Sequence, residues 1–437
     1  MTHPLSRTPR KQASRKDSHN AAHRTDATGP QHAAPEPEID QPLEILGGLS
    51  AKDFMRSYWQ KKPLLVRQAF KDIRPPVSSA ELKRMARRDD VESRLIWRED
   101  DQWQMQTGPF ARLPMQRESD WTLLVQSIDL HNDAAARLMH RFNFIPAARL
   151  DDLMASIATE GGGVGPHFDS YDVFLIQARG RRRWKFGQQK DLSLVPDLPL
   201  KILASFQPRE DVVLEPGDML YLPPHAAHDG ISLSNDCMTL SVGFRAPQAS
   251  TLAQGMLEAA AEQIAARSGA GSGLYADPPL PGPDFTSHYK DPSQSATAHA
   301  GEIPVQLIDA TLEAIGKVRF DRKLASRYLG CWLTEPHPLA VFEPPADAES
   351  VVQTIFERKG RGHWEVDRRT RMLYESSHFY INGELAPLKA SPRLKSLADA
   401  RALTILASDR TRMSEDILEL LAQWYEDGWL HYQPLDT

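Results

Sequence analysis

The chain has 437 residues, too many for a single hydrophobic core, so two or three domains are expected. A hydrophobic content of 41% with 25% charged residues describes an ordinary globular protein, and no apolar run approaches the roughly 20 residues of a membrane span. Cys237 and Cys331 are the whole cysteine complement, which excludes a disulfide framework and a cysteine-rich zinc site, while a net charge of −6 argues against bulk nucleic-acid binding.

Residues 1–42 read as a disordered basic tail. They hold almost no large apolar residues, and the first 25 carry Arg7, Arg10, Lys11, Arg15, Lys16 and Arg24 against Asp17 alone. Such a composition also suits a mitochondrial transit peptide, but Pro4, Pro9 and the lack of an apolar helical face favour a flexible tail with, at most, weak affinity for RNA. The secretory apolar core is missing, so a reducing cytoplasm is the expected location. Folding is expected from Leu43 onward. Ser50 caps a helix carrying Phe54 and Tyr58, and residues 63–67 read as a strand. Between about 149 and 247 the chain breaks into short β-runs at 153–158, 173–178, 181–186, 211–214, 219–222, 230–233 and 238–244, separated by Gly and Pro. Close-spaced short strands without intervening long helices predict a barrel or sandwich and argue against a doubly wound sheet. A helix follows at 251–266, then a Gly-, Ser- and Pro-rich linker at 268–304, then two amphipathic helices within 305–332, broken near Asp321. The last stretch gives a helix (346–358), strands at 372–374 and 379–381, an Asn382-Gly383 turn, two helices (392–398 and 414–427) and a final strand at 430–432. That order is the order of a winged helix. It is not conspicuously basic, so protein contact or a structural role suits it better than DNA binding.

Chemistry enters at His167 and Asp169, in Gly-Pro-His-Phe-Asp-Ser-Tyr-Asp, and at His228, in Gly-Asp-Met-Leu-Tyr-Leu-Pro-Pro-His-Ala-Ala-His. His-x-Asp with a distant second His is the pattern of the 2-His-1-carboxylate facial triad, which holds Fe(II) and leaves positions open for oxygen chemistry. Strand alternation turns His167, Asp169 and Tyr171 to one face. The Gly161-Gly-Gly-Val-Gly-Pro turn before them lets backbone approach a small ligand. His225 competes with His228 for the third position. His228 precedes Asp229-Gly230 and the next strand and is taken as the ligand, with His225 a solvated loop residue. A 2-oxoglutarate oxygenase also needs a cation for the far carboxylate of its cosubstrate. Within Arg179-Gly-Arg-Arg-Arg, alternation puts Arg182 on a face with Trp184 and Phe186, and its guanidinium can grip a carboxylate bidentately. Asp152 and Met154 share a face. Asp152 is either the partner of a cationic substrate side chain or a strand-end turn residue. Tyr171 is either a substrate platform or core filler. Asp172 points the other way, toward a structural role or solvent. Thr239 and Ser241 share a face as cosubstrate contacts or as satisfied barrel hydroxyls.

Together, Asp151-Asp-Leu-Met, Gly161-Gly-Gly-Val-Gly-Pro-His-Phe-Asp-Ser-Tyr-Asp-Val-Phe, Gly180-Arg-Arg-Arg-Trp, Leu214-Glu-Pro-Gly-Asp-Met-Leu-Tyr-Leu-Pro-Pro, Ser241-Val-Gly-Phe-Arg-Ala-Pro and the earlier Tyr58-Trp-Gln-Lys-Lys-Pro-Leu resemble the bacterial JmjC ribosomal oxygenases, which hydroxylate an arginine of large-subunit ribosomal protein 16. The resemblance implies an α+β chain: a JmjC/cupin double-stranded β-helix barrel (43–250), a helical dimerisation region with linker (251–335) and a winged helix (336–437). It implies Fe(II), O2 and 2-oxoglutarate as cofactor and cosubstrates. His167, Asp169 and His228 would be the metal ligands, Arg182 the 2-oxoglutarate anchor, and Asp152, Met154 and Tyr171 the contacts to the substrate arginine. A homodimer and β-carbon hydroxylation of arginine follow from the same likeness. The long basic tail and His225, where Gly is usual, depart from the family pattern. Demethylation at the same iron, or a non-enzymatic cupin and winged-helix regulator, are the rival readings.

Overall fold

The computed structural model describes residues 39–100, 102–114, 120–406, 408–409 and 413–435. The expected tail lies outside the described residues except for 39–42. There Pro42 already bridges Ser50, and the Ile39 carbonyl accepts the Lys52 amide, so residues before Leu43 already take part in the fold. The first helix, α1 (Ala51–Ser57), is capped as expected, with the Ser50 hydroxyl accepting from the Asp53 amide at 3.0 Å. It buries Phe54 completely.

Strands β1 (Leu64–Val66), β2 (Ser93–Glu99), β3 (Gln102–Thr107), β4 (Trp121–Val125), β5 (Leu150–Ala158) and β6 (Asp172–Arg179) follow, with α2 (Ser79–Met85) and α3 (Asp133–Met139) between them. Then come β7 (Arg182–Gly187), β8 (Glu210–Leu214), β9 (Met219–Leu222), β10 (Ala227–Ser232) and β11 (Cys237–Phe244). Two sheets result: a large one in the order β1-β9-β6-β11-β5-β4-β2-β3 and a small one in the order β10-β7-β8. All seven strands expected between 149 and 247 form. The addition of β2, β3 and β4 to one flank of the large sheet had no counterpart in the sequence reading.

Alternation divides the large sheet cleanly. Leu153, Ala155 and Ile157 of β5, Phe174 and Ile176 of β6, and Met238, Leu240 and Val242 of β11 pack outward against α1, α2 and α3 with Phe54, Leu82 and Met139. The opposite residues, Val173 and Leu175 with Leu220 and Leu222, meet Trp184 and Phe186 of the small sheet in a second, inner core. The inner face is therefore a barrel interior between two sheets. Across the small sheet His228 stands opposite Phe186, Gly230 opposite Trp184 and Ser232 opposite Arg182. Gly230 is needed there because a Cβ would fall 2.7 Å from the Trp184 ring.

Beyond the barrel, α4 (Ala249–Arg267) crosses α6 (Arg322–Thr334), where Gly255 admits the Tyr328 ring, while α5 (Val305–Gly316) buries none of its residues. The break predicted at Asp321 is the cap of α6, whose carboxylate accepts from the Lys323 and Leu324 amides. The C-terminal part holds α7 (Ala348–Glu357), β12 (Gly362–Val366), β13 (Met372–Glu375), β14 (His378–Ile381), β15 (Glu384–Leu385), α8 (Pro392–Ala400), β16 (Ala402–Ile405), α9 (Glu415–Glu426) and β17 (Leu430–Gln433). Its core centres on Trp364, Phe379 and Trp424. The expected helices and hairpin are present, and β12 and β16 join the final strand in a small sheet that the sequence reading lacked.

Gly230→Ala is expected to lower stability by about 1–3 kcal/mol through the clash with Trp184. A shifted urea midpoint with unchanged slope is the measurement.

Candidate metal centre and substrate pocket

The His-x-Asp segment is not a regular strand. Its one ladder contact is a bridge between His167 and His228, and β6 begins only at Asp172. That bridge does the positioning: the His167 amide donates to the His228 carbonyl at 2.9 Å, and the His228 amide to the His167 carbonyl at 2.8 Å. The two imidazoles then stand 4.2 Å apart, centre to centre. Each Nδ1 meets a backbone carbonyl two residues before it, His167 with Gly165 at 2.8 Å and His228 with Ala226 at 2.9 Å. This fixes the proton on Nδ1 and leaves Nε2 free as a ligand atom. Burial, reinforced by the neighbouring His167, lowers the His228 imidazole to about 4, so it is neutral at physiological pH, as a ligand must be. Asp169 completes the group. Its Oδ2 lies 3.7 Å from His228 Nε2, and one donor atom from each of the three residues falls within 4.8 Å of the others. Among the described residues no other group of His, Cys, Asp and Glu converges in this way.

His225 is exposed and has a left-handed backbone at φ 64, the conformation for which glycine is usual. Its amide donates to the Asp169 carbonyl at 2.7 Å, so it shapes the ligand loop through its backbone. The Gly217-Asp218 turn is likewise structural: buried Asp218 accepts from the Gln68 and Glu215 amides, each at 3.0 Å.

Arg182 is 3% exposed, and its Nε and Nη2 have no protein partner. Its guanidinium carbon lies 5.7 Å from the centre of the Trp184 ring, and that ring lies 5.8 Å from the His228 ring. Arg182, Trp184 and His228 thus share the inner wall. The other arginines of the run behave as the alternation requires: Arg181 and Arg183 are exposed, and Arg183 pairs with Asp211 at 2.6 Å.

These residues fit the implied groups. Two neutral imidazole nitrogens and one carboxylate are the donor set suited to Fe(II). A buried guanidinium with unmet donors is the natural seat of a carboxylate.

The other candidates line the same interior. Asp152 and Met154 of β5 are partly buried on its inner face, and Met154 stands opposite Ser241 of β11. Asp152 lies inside the strand, not at a strand-end turn, and its Oδ2 accepts from the Ser127 amide at 3.0 Å and hydroxyl at 3.3 Å. Burial, with help from the Asp129 and Asp151 charges, pushes its carboxyl up to about 7. Tyr171 is 41% exposed, so it is not core filler. Gly243 lies between the two: a Cβ there would stand 3.3 Å from Asp152 Oδ1 and 3.9 Å from the Tyr171 ring. A side chain larger than hydrogen would crowd the cleft between carboxylate and phenol. Thr239 is satisfied by Gln177 at 3.2 Å. Asp172 is fully buried, accepting from Tyr221 at 2.6 Å and Gln60 at 3.0 Å, which makes it structural and not solvent-facing. Three features had no role in the sequence reading: the Gly243 gap, the buried Trp184 indole N–H without an acceptor, and Ser127 behind Asp152. Ser127 is 25 residues from its partner, and no local pattern announces it.

Two families match the chain: the JmjC domain over residues 137–252 and the ROXA-like winged helix over 317–431. The ribosomal protein uL16 3-hydroxylase of Escherichia coli (strain K12) is 32% identical over 394 residues, covering 88% of this chain and 98% of that protein. A probable ribosomal oxygenase of Haemophilus influenzae is 30% identical, covering 86% and 94%. Among solved structures, that of YcfD from E. coli superposes with a TM-score of 0.71 at 30% identity, covering 88% of this chain and 98% of the other. YcfD in complex with cobalt and 2-oxoglutarate gives a TM-score of 0.69 at 30% identity, covering 87% and 98%. A likeness that runs through both domains and nearly the full length of these bacterial relatives makes the chain a member of the JmjC ribosomal oxygenases, a family of Fe(II)- and 2-oxoglutarate-dependent dioxygenases.

Proposed function

We propose that this chain hydroxylates the β-carbon of an arginine in large-subunit ribosomal protein uL16. In this reading His167, Asp169 and His228 hold Fe(II), Arg182 holds the distal carboxylate of 2-oxoglutarate, and Asp152, Met154 and Tyr171 hold the substrate arginine. The observation that carries it is the Arg182 guanidinium, buried and without a protein acceptor on the wall that also bears His228. Bound Fe(II) and 2-oxoglutarate would supply oxygen activation, with one oxygen atom entering the substrate C–H bond and 2-oxoglutarate leaving as succinate and CO2.

The protein's part is placement. Asp152 offers a charge of the right sign to a guanidinium. The cleft over Gly243 takes a slender side chain between that carboxylate and the Tyr171 ring, with Met154 as an apolar floor. Arginine, a long methylene stem ending in a planar cation, has this shape and charge. The substrate named for the E. coli relative is a ribosomal protein, which agrees with this choice and with a cytoplasmic site of action. No helix among the described residues is long and apolar enough to cross a membrane.

We assign 43–250 to the catalytic barrel, 251–335 to the dimerisation region and 336–437 to the winged helix. A homodimer is supported by α5, which leaves Val305, Leu307, Ile308, Leu312 and Ile315 exposed on an amphipathic helix.

Incubation with Fe(II), 2-oxoglutarate and uL16 should add one oxygen's mass to an arginine peptide. Asp169→Ala should abolish both that shift and succinate release; undiminished succinate would remove Asp169 from the ligand set. Formaldehyde release from methylated peptides in place of the mass gain would favour demethylation.

The Asp152 carboxyl supplies a pH test. Protonated below about 7 and ionised above it, it should make KM for the peptide fall between pH 6 and pH 8, while Asp152→Asn shows a flat, high KM. Because the folded-state value is raised from 3.8, ionisation opposes folding. The penalty is absent below about pH 4, grows as pH rises and is full above about 7. Asp152→Asn is therefore expected to raise the Tm of the substrate-free protein at pH 8, by a stability gain on the order of 2 kcal/mol, and to leave it unchanged at pH 4.

Ile308→Asp/Leu312→Asp is expected to convert a dimer to a monomer in light scattering. A wild-type monomer would overturn that assignment.

A further inference from the structure

Asp152 is not held by its own strand alone. Its Oδ2 depends on the amide and hydroxyl of Ser127, a non-glycine residue at φ 49, in the left-handed region that a serine occupies only when its surroundings hold it there. The turn that follows, residues 128–130, is tied to β5 by Asp129, whose Oδ1 accepts from the Leu153 amide at 2.8 Å. The far side of the same turn is gripped from the other end of the chain. Arg368 Nε donates to the Leu130 carbonyl at 2.9 Å, and Arg369 Nε donates to that same oxygen at 3.3 Å. Arg368 Nη1 also meets Asp133 at 2.9 Å, on the first turn of α3.

These two arginines sit in the loop between β12 and β13, and that loop is itself fixed inside the winged helix. The Asp367 carboxylate accepts from the Arg369 amide at 2.9 Å and lies 3.1 Å from His431 Nε2. The Asp367 carbonyl accepts from Arg401 Nη2 at 2.7 Å, and the Arg401 charge also acts on buried Asp129. A continuous chain of contacts therefore runs from the winged-helix sheet through residues 367–369 to Leu130, Asp129 and Ser127, and ends on the Asp152 carboxylate.

We infer that the winged helix is a positioning element for the substrate pocket: Arg368 and Arg369 hold the Leu130 carbonyl and, through it, the Ser127 turn that aims Asp152. The inference rests on the proposed pairing of Asp152 with the substrate guanidinium. Both lone pairs of one carbonyl are engaged by charged donors, whose hydrogen bonds are the strong kind. The Arg368 and Arg369 side chains are only 21% and 16% exposed, so their charges are used against the barrel and not offered to a nucleic acid. Neither arginine touches a reacting atom; both are positioning residues.

The test is Arg368→Ala/Arg369→Ala in the full chain. KM for the uL16 peptide is expected to rise about tenfold, while kcat, KM for 2-oxoglutarate and substrate-free 2-oxoglutarate turnover stay unchanged. In an Asp152→Ala background the same pair should add nothing, because the group it positions is gone. A second readout needs no substrate. In anaerobic protein loaded with Fe(II) and 2-oxoglutarate, amide exchange at Ser127 and Leu153 should quicken while β11 keeps its protection. Should the alanine pair fail to fold, Arg368→Lys/Arg369→Lys decides, with the same changes at smaller size. Unchanged KM with unchanged exchange overturns the inference. So does a KM increase that persists undiminished without Asp152, or a loss of protection that extends to β11. If the parent protein does not turn over the peptide, the substrate reading falls, and the exchange result alone decides the positioning claim.

Discussion

Two backbone hydrogen bonds between His167 and His228 are the constraint on which the rest of the site depends. His228 is anchored in the small sheet, opposite Phe186. His167 belongs to a segment with no other ladder contact, and it would wander without this bridge. Closing it fixes both ring positions at once, and the backbone carbonyls of Gly165 and Ala226 then settle the rotation and tautomer of each ring. Asp169, two residues on, inherits its place from the same segment, with the His225 amide holding its carbonyl. A candidate ligand set drawn from distant parts of the chain is thus reduced to one local geometry.

The interior so defined is poor for stability and suited to binding. A buried guanidinium with two unmet nitrogens, an indole N–H without an acceptor and a carboxyl pushed up to about 7 are groups that a core selected for stability alone would pair or replace. An uncompensated buried charge costs about 3–5 kcal/mol by comparison with buried pairs that lose a partner. The outer face of the large sheet shows where the compensation lies: Phe54, Phe142, Phe174 and Tyr221 interlock there, with ring centres 4.6 to 5.5 Å apart in the Phe54–Phe174, Phe54–Tyr221 and Phe142–Phe174 pairs. The unsatisfied groups therefore line the space between the sheets, Arg182 and Trp184 on β7 of the small sheet and Asp152 on β5 of the large one, while the outer face of the large sheet is well packed. The period-two alternation of its strands keeps the two apart.

The same alternation explains what was legible beforehand. Arg182 could be separated from Arg181 and Arg183 because β7 is regular and its buried face carries Trp184 and Phe186. The convergence of His167, Asp169 and His228 was legible because the residue types suited to a metal are few and leave a motif. Tyr171 was ambiguous because the stretch before β6 is irregular, and a period cannot be read through it. Strands β2, β3 and β4 escaped notice because none shows a clean alternation: β4 is buried at all its positions, β2 is buried mainly in its first half, and β3, with Gln102, Gln104 and Gln106, has no buried side at all. Ser127 and Arg368 were beyond reach for another reason. Their significance lies in partners 25 and 238 residues away, and a single sequence contains no signal for such pairings.

Chemistry and recognition also separate spatially within the barrel. The candidate metal ligands and the buried Arg182 guanidinium lie on the wall between the two sheets. Asp152 lies on β5, on the side where the large sheet continues through β4 and β2. The Asp152 carboxylate has a buttress outside its own strand. The turn beginning at Ser127 supplies it, and the only charged donors on the Leu130 carbonyl of that turn, among the described residues, come from the winged helix. In this architecture the C-terminal domain reaches the Asp152 side of the barrel through the Leu130 carbonyl. This accounts physically for a winged helix attached to a barrel without any basic surface being asked to bind nucleic acid.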